Sequence, residues 1–491
     1  MITETSAAAH QHNCQTTYSD QRLFDSATHE QFAQISCDHN PIHVDAVAAR
    51  RTHAGTRVIH GIHSLIWALD SFSRSSLDRG NIRTLKAQFL RPIYIGDRVD
   101  LEITLPTSTT AKIRLLVCGD EVLTATLDCT TSTAPPVIPY KSGNSPMPIP
   151  SRPHDRGLEQ MRGLRGSLAF GSLISDITDL FPSAVNYFGF DTIAALVSSS
   201  SLVGMVVPGL HSMFSGLDVH FTNDPSLPDR EIQFAVLSVT ERFRLVRIGV
   251  RSRGLHGTLE TISRLPPVKQ PNMEAVRSCV SPGEFRNNIA LIVGGSRGLG
   301  ELTAKIIAAG GGKVVITYAS GADDAEEVAR EIRAAGNSCE IINYDVHAAT
   351  TQQIAGLGVI PTHLYYFATP AIFRRKNGLF DEARFREFCG FYLNGFFATV
   401  RACVDLRPQG IKAFFPSSAA LDARSAAMTE YTMAKAAGEI LCEDLQRFIP
   451  GLRILMRRLP ALPTDQTSSV VHSKTLNPID KLLPIVREMQ P

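Results

Sequence analysis

At 491 residues the chain exceeds the size at which one hydrophobic core keeps growing, so two to four domains are expected. With 44% hydrophobic and 20% charged residues its bulk falls outside the disordered class, and a net charge of +2 argues against a dedicated nucleic-acid binder, which needs a concentrated basic face. The nearest basic run, Arg374-Arg375-Lys376, reads as solvated surface rather than as a dock for CoA phosphate or an acidic carrier protein. Nine cysteines without C-x-x-C spacing suggest neither a zinc cage nor a disulfide framework and fit a reducing cytosol. Residues 1–20 lack the basic-then-apolar pattern of a secretion signal, and no stretch reaches the ~18 apolar residues of a membrane span. The expectation is a globular, soluble, cytoplasmic protein with no nucleic-acid and no membrane partner.

The first segment covers about residues 15–135. Residues 65–72 form an apolar, helix-like stretch, and Leu123, Ala125, Leu127 and Cys129 alternate with Thr124, Thr126 and Asp128, the period of a half-exposed antiparallel strand. That combination predicts an α+β fold. Residues 134–153 place seven prolines in twenty residues, which removes backbone donors and favours extended chain, a linker or a long surface crossover. In the second segment, about residues 150–268, Gly209-Leu210-His211-Ser212 echoes Gly61-Ile62-His63-Ser64. The earlier copy leads into a helix-like stretch and the later one into a strand-like run at 217–221, so this match marks no repeat. If the second segment does repeat the fold of the first, its buried helix is expected at 191–204, DTIAALVSSSSLVG. A further proline-rich punctuation, 265–283, precedes the third segment, 285–491. Residues 288–295 and 313–318 are strand-like there, while 301–309 and 323–335 have helical spacing. This βαβ rhythm predicts a doubly wound parallel sheet of the Rossmann type.

Residues 35–45 read ISCDHNPIHVD, 58–64 read VIHGIHS and 87–103 read AQFLRPIYIGDRVDLEI. Taken alone, Asp38 reads as a turn cap and His43 as a satisfied core histidine. Together, D-x-N-P-x-H, the following H-G and the later F-x-x-P-x-x-x-G-D resemble the MaoC-type, (R)-specific enoyl hydratase/dehydratase family of hot-dog folds, in which an antiparallel sheet wraps a long central helix. The resemblance covers about residues 25–130. It implies hydration of an enoyl thioester or the reverse dehydration, which needs a base for water, an acid for the α-carbon and a stabiliser of the enolate oxygen. On this resemblance Asp38 and His43 supply the first two, brought together by the Asn40-Pro41 turn. Backbone N–H groups near Gly61, at the start of the central helix, form the oxyanion site. His39, His60 and His63 crowd the same stretch, but the implied chemistry calls for no metal. The second segment carries no D-x-N-P-x-H and is expected to be a catalytically silent hot-dog half that completes a double hot dog and helps form the acyl tunnel.

After the strand-like residues 289–293 come Gly294, Gly295, Ser296, Arg297, Gly298, Leu299 and Gly300, opening a helix. Free N–H groups and the helix dipole favour a dinucleotide pyrophosphate there, and the glycines allow its close approach. Tyr431 and Lys435, four residues apart, share one helix face, and Ser418 precedes the tyrosine by thirteen residues, after the strand-like run 411–415. These motifs resemble the short-chain dehydrogenase/reductase family, of the type that reduces 3-oxoacyl thioesters, with Ser418, Tyr431 and Lys435 in the places of its catalytic set and Asn394, in FYLNGFF, in that of the fourth member. Val293 stands where the family usually has threonine. The resemblance implies that Tyr431 protonates the developing alkoxide and that Ser418 hydrogen-bonds the substrate carbonyl. It also implies that Lys435 lowers the phenol's pKa and holds the nicotinamide ribose, and that Asn394 holds a water in the proton relay. Gly294, Ser296, Arg297, Gly298, Leu299 and Gly300 are the expected cofactor loop. No acid stands at 317–321 to take a ribose 2′-hydroxyl and Arg297 can meet a 2′-phosphate, so NADP(H) is expected over NAD(H), although Asp323 and Asp324 follow closely. Asp345, in YDV, is either the family's adenine-contacting aspartate or a strand-end cap. Two departures stand out. Phe367-Ala368-Thr369-Pro370 replaces the family's N-N-A-G stretch, and only 27 residues follow Thr464, where the family carries a substrate lid, a last strand and tetrameric contacts.

Together the two resemblances imply a bifunctional enzyme on fatty-acyl or polyketide-type thioesters. It would reduce a 3-oxoacyl thioester with NADPH to the (R)-3-hydroxyacyl thioester and dehydrate that to the trans-2-enoyl thioester, or run the reverse. The alternative is a hydratase/dehydratase beside a non-catalytic scaffold or acyl-binding module, against which the intact Asn394, Ser418, Tyr431 and Lys435 set argues. The expected partners are an acyl-CoA or acyl-carrier-protein thioester and a second copy of the chain in a homodimer.

Overall fold

A computed structural model describes residues 17–52, 54–75, 81–130, 145–171, 174–348, 350–373, 380–424, 426–467 and 476–490. The basic run at 374–376 and much of the proline-rich stretch lie outside them. The chain forms two compact units, Met1–Val44 with Arg57–Arg264 and Asp45–Thr56 with Leu265–Pro491.

In the first unit the alternating segments become ten strands: β1 Thr17–Leu23, β2 Thr84–Phe89, β3 Arg98–Thr104, β4 Thr110–Val117, β5 Asp120–Asp128, β6 Arg165–Ala169, β7 Ser212–Phe221, β8 Glu231–Thr240, β9 Leu245–Arg251 and β10 Leu255–Ser263. They pair in the order β1-β3-β4-β5-β2-β7-β10-β9-β8-β6. The second five strands thus repeat the first five in mirror order. The halves join where β2 pairs antiparallel with β7, from Thr84 opposite His220 to Gln88 opposite Gly216. This join removes two open sheet edges that would otherwise invite pairing with another chain.

Each half wraps a helix. Gly61–Arg74 buries Ile62, Leu65, Ile66, Leu69 and Phe72 completely, and a helix this apolar on all sides is an enclosed one. Its counterpart is Phe190–Ser201, prolonged by the π-helical turn Leu202–Val206. Serines are tolerated inside it because the hydroxyls of Ser199 and Ser201 donate to the carbonyls of Leu196 and Ser198. Asp70, on the first of these helices, ties it to a neighbour from the second half. Its buried carboxylate accepts from the backbone N–H groups of Ser183 and Ala184, each at 2.9 Å, and so caps the helix Pro182–Phe188. No single helix among the described residues is long and apolar enough to cross a membrane.

The second unit holds six parallel strands, β11 Ile289–Val293, β12 Lys313–Tyr318, β13 Cys339–Asn343, β14 His363–Tyr366, β15 Lys412–Ser418 and β16 Arg453–Leu459, in the order β13-β12-β11-β14-β15-β16. The order reverses between β11 and β14, which leaves a crevice at the carboxyl ends of the strands. Helices Gly298–Ala309 and Pro478–Glu488 bury Leu302, Ile306, Leu482 and Val486 in one core, while Phe396–Leu406 and Thr429–Phe448 bury Val400, Ala434 and Leu445 in another. Among the described residues β16 is the sheet edge, and no strand follows it.

Asp70→Ala should lower the stability of the first unit by about 1–2 kcal/mol, the usual worth of a helix cap. Trp67, the chain's single tryptophan, is buried in the helix Gly61–Arg74, so its fluorescence during urea unfolding reports on this unit. An unchanged midpoint in Asp70→Ala would show that the cap contributes nothing.

Candidate active sites

The D-x-N-P-x-H motif begins where the helix Ser26–Ser36 ends. Cys37 takes a left-handed conformation, φ 53°, which closes that helix and turns the chain into Asp38. Asn40 then pins the turn: its Nδ2 donates to the carbonyls of Gly204 at 2.8 Å and Gly209 at 3.0 Å, both from the second half of the sheet. The backbone N–H of His43 donates to the carbonyl of Asn40, starting the short helix Pro41–Val44.

Asp38 is buried, and three groups surround its carboxylate. Asn40 N–H donates to Oδ1 at 3.2 Å, the Ser200 hydroxyl donates to Oδ2 at 2.7 Å, and His60 Nε2 stands 3.7 Å from Oδ2 while bonding the Asp38 carbonyl at 3.0 Å. A Cβ on Gly204 would overlap the carboxylate, so the π-helical turn must carry glycine there. Burial pushes the carboxyl up to about 7, against the opposing pull of the Ser200 and Asn40 hydrogen bonds. His43 stacks on His60 with ring centroids 3.8 Å apart, so both motif residues meet around His60. Its Nδ1 lies 2.8 Å from the Val58 carbonyl. A carbonyl cannot donate, so Nδ1 carries the proton and Nε2 offers a lone pair. Desolvation, acting on a ring that keeps some exposure, holds His43 neutral with its pKa lowered to about 3.

Gly61 opens the helix Gly61–Arg74, whose first N–H groups lack partners within the helix. The Phe89 ring packs on it so closely that a Cβ would lie 2.8 Å away. His63 is stacked on Phe32 at 4.6 Å and is a core histidine, while His39 is exposed. His29, His43 and His60 bring one ring nitrogen each within 4.8 Å of one another, among the described residues the arrangement nearest to a metal cluster. His43 and His60, however, lie face to face, whereas a shared ion needs in-plane lone pairs that converge. Ser200 and Gly204 escape a reading of the sequence: both sit in an apolar stretch with no motif around them.

In the second unit the glycine loop follows β11. Gly294 has φ 77° and Gly298 φ 61°, conformations that side chains rarely adopt. Thr317 of β12 pins the loop, its hydroxyl accepting from Gly294 N–H at 3.1 Å and its carbonyl from Gly295 N–H at 3.0 Å. A Cβ on Gly300 would overlap the Gly294 carbonyl. The helix Gly298–Ala309 begins here, Ser296 is buried, and Leu299 packs against the core. Such a cradle, backbone N–H groups at a helix start with no side chain in the way, fits a dinucleotide pyrophosphate. Asp345 is exposed and its carboxylate accepts from His347 N–H at 2.9 Å, so within the chain it caps the turn after β13.

Tyr431 lies buried on the helix Thr429–Phe448 and Ser418 ends β15 beside it. Burial raises the phenol's pKa, and the Ser418 hydrogen bond opposes that rise. Lys435 is buried too, but its ammonium donates to the Pro416 carbonyl at 2.6 Å and sits 3.8 Å over the Tyr392 ring. The expectation that Lys435 lowers the phenol's pKa is therefore corrected: the ammonium is turned to a carbonyl and a ring face, and burial lowers its own pKa to about 7. Asn394 is exposed on the π-helical turn Gly390–Gly395, which offsets the helical register. Tyr392, two residues earlier, is the one turned inward, bonded to Thr369 Oγ1 at 2.5 Å.

Residues 6–119 match the MaoC like domain family, and residues 288–455 match the short chain dehydrogenase family. The chain joins a MaoC-like dehydratase domain to a short-chain dehydrogenase domain. An uncharacterized oxidoreductase of Methylorubrum extorquens is 27% identical over 104 residues, 21% of this chain and 40% of that protein. A short chain dehydrogenase/reductase of Aspergillus novofumigatus is 36% identical over 66 residues, 13% of this chain and 25% of that protein. The matched stretches thus span less than half of either relative. An alcohol dehydrogenase structure from Thermococcus sibiricus, complexed with 5-hydroxy-NADP, is 25% identical with a TM-score of 0.37, over 42% of this chain and 91% of that one. The dehydrogenase domain is of a nicotinamide-dependent kind, and its glycine cradle fits that cofactor.

In the dehydratase domain, Ser200→Ala removes a donor that favours the ionised form of Asp38. With ionised Asp38 as the proposed base, hydration is expected to rise with pH through about 7 in the wild type. The variant's midpoint should move to higher pH, in the rate profile and in a carboxyl carbon NMR titration alike. A midpoint that stays put or falls would remove Ser200 from this role.

Proposed function

We propose that the chain reduces a 3-oxoacyl thioester with NADPH to the (R)-3-hydroxyacyl thioester and dehydrates that product to the trans-2-enoyl thioester, the acyl group arriving on CoA or a carrier protein. What carries this reading is that each domain buries a proton-transfer group in the form its step needs. Asp38 titrates near neutrality next to His60, on which the neutral His43 stacks, and Tyr431 keeps its proton beside Ser418.

In the dehydratase domain the thioester oxygen rests at the N–H groups that open the helix at Gly61, where the positive helix end meets the charge of the enolate. Asp38, the stronger base of the pair, takes the α-proton. His43 Nε2 accepts a hydrogen bond from the β-hydroxyl and orients it. The C–O bond breaks, the Cα–Cβ double bond forms, and Asp38 returns its proton to the leaving oxygen, which departs as water. The same steps reversed are hydration.

In the dehydrogenase domain Gly294, Ser296, Arg297, Gly298, Leu299 and Gly300 would hold the dinucleotide, with Lys435 as the donor to its nicotinamide ribose. The reduced nicotinamide, when bound, would supply a hydride to the carbonyl carbon. Ser418 donates to the carbonyl oxygen, and Tyr431, kept protonated by burial, gives its proton to that oxygen as it becomes an alkoxide. Lys435, one helical turn along and with a pKa near 7, can exchange a proton at neutral pH.

The test follows NADPH absorbance with an acetoacetyl thioester and, separately, hydration of a crotonyl thioester. Tyr431→Phe should lose reduction by about 10²-fold or more and keep hydration, and Asp38→Asn the opposite. A wild type that consumes no NADPH with any 3-oxoacyl thioester would sink the reductase half.

A further inference from the structure

The excursion Asp45–Thr56, which belongs to the second unit, carries two arginines to the end of β12. Asp45 caps its short helix Ala46–Ala49, accepting from the N–H groups of Val47 and Ala48. Arg50 then donates to the hydroxyl of Ser320 and, at 3.0 Å, to its carbonyl, joining residues 270 apart in the chain. Arg51 forms an ion pair with Asp324, whose carboxylate is buried. Arg297, in the glycine loop, donates to the Arg50 carbonyl at 2.9 Å and pairs with Asp465 at 3.3 Å.

Three guanidiniums therefore meet two carboxylates. Arg51 takes Asp324 and Arg297 takes Asp465, which leaves Arg50 a 3.9 Å approach to Asp324 and a buried Nε without a hydrogen-bond partner. Arg50 and Arg51 also repel Arg297, whose pKa falls to about 10, mainly through burial, and which stays charged at neutral pH. Surplus positive charge with unused donors is the chemistry of a phosphate site. Its place is informative. In a doubly wound sheet the adenosine ribose lies at the end of the second strand, where a carboxylate would take the 2′-hydroxyl. Here the buried carboxylate of Asp324 is neutralised by Arg51, and Arg50, bonded to the Ser320 hydroxyl, approaches it at 3.9 Å.

We propose that Arg50, with Arg297 and the Ser320 hydroxyl, binds the 2′-phosphate of NADP(H), and that Arg51 makes this possible by neutralising Asp324. The inference rests on the proposed reductase activity and adds a specificity-determining residue from outside residues 288–455. The 3′-phosphate of CoA offers the same dianion, so the experiment separates the two. Calorimetry on the full-length protein compares 2′,5′-ADP, 3′,5′-ADP, NADPH and NADH, in wild type and in Arg50→Met, which keeps an unbranched apolar stem.

Wild type should prefer 2′,5′-ADP to 3′,5′-ADP. Arg50→Met should weaken 2′,5′-ADP and NADPH by about tenfold or more, the loss of a charge-assisted bond, and leave NADH unchanged. Equal weakening of NADPH and NADH, unchanged NADPH binding, or a preference for 3′,5′-ADP would each overturn the inference while the reductase reading stands. Failure of the wild type to bind either dinucleotide would overturn both. Ligand-free melting checks the fold, and should Arg50→Met melt early, Arg50→Lys takes its place, with intermediate loss expected for a point charge in place of the fork.

Discussion

Taking the Asp38 carboxylate out of water is the constraint around which the first unit is arranged. A buried, uncompensated carboxylate is strongly penalised, and the penalty falls only if donors are already fixed around it. One donor, Asn40 N–H, is local. The other, Ser200, lies 162 residues away on the helix of the second half, and Gly204 on the same helix leaves the room that any side chain would fill. The Asn40 side chain is in turn held by carbonyls of that half. The continuous ten-stranded sheet, joined at β2 and β7, is what brings these groups to one point. The product of the compromise is a carboxyl that titrates near neutrality, where a single group can both take and return a proton. The half without a motif is thus a structural partner in the site.

The second unit resolves a related problem differently. Tyr431 and Lys435 are both buried, and burial favours the neutral form of each: the phenol rises and the ammonium falls. Lys435 recovers part of its lost solvation from the Pro416 carbonyl and the Tyr392 ring. A phenol that holds its proton suits the reducing direction, in which it must be a donor.

How much of this is legible in the sequence depends on range. Asp38 through His43 and Gly294 through Gly300 declare themselves because the geometry they need is made within a few residues, by a turn and by a strand-to-helix junction. Strand alternation and the βαβ rhythm likewise survive into the architecture. Ser200 does not, since a serine in an apolar helix carries no mark of a neighbour 162 residues away. The Tyr431 to Lys435 spacing places two side chains on one helix face but is silent on where the ammonium turns, and the carbonyl of Pro416 decides that. The string around Asn394 likewise does not announce the π-helical turn that carries it. Arg50 and Arg51 are long-range again, and nothing in the sequence announces the ion pair that Arg51 makes with Asp324.

The central claim is that one chain carries out two consecutive steps. Its most direct test is to give the purified wild type a 3-oxobutyryl thioester and NADPH deuterated at the transferred position, and to follow the acyl species by mass spectrometry. A deuterated 3-hydroxyacyl thioester is expected first and then a 2-enoyl thioester that keeps the label at Cβ, with no other enzyme added. A labelled hydroxyacyl product that never yields the enoyl species, while the same preparation hydrates no enoyl thioester, would contradict the claim.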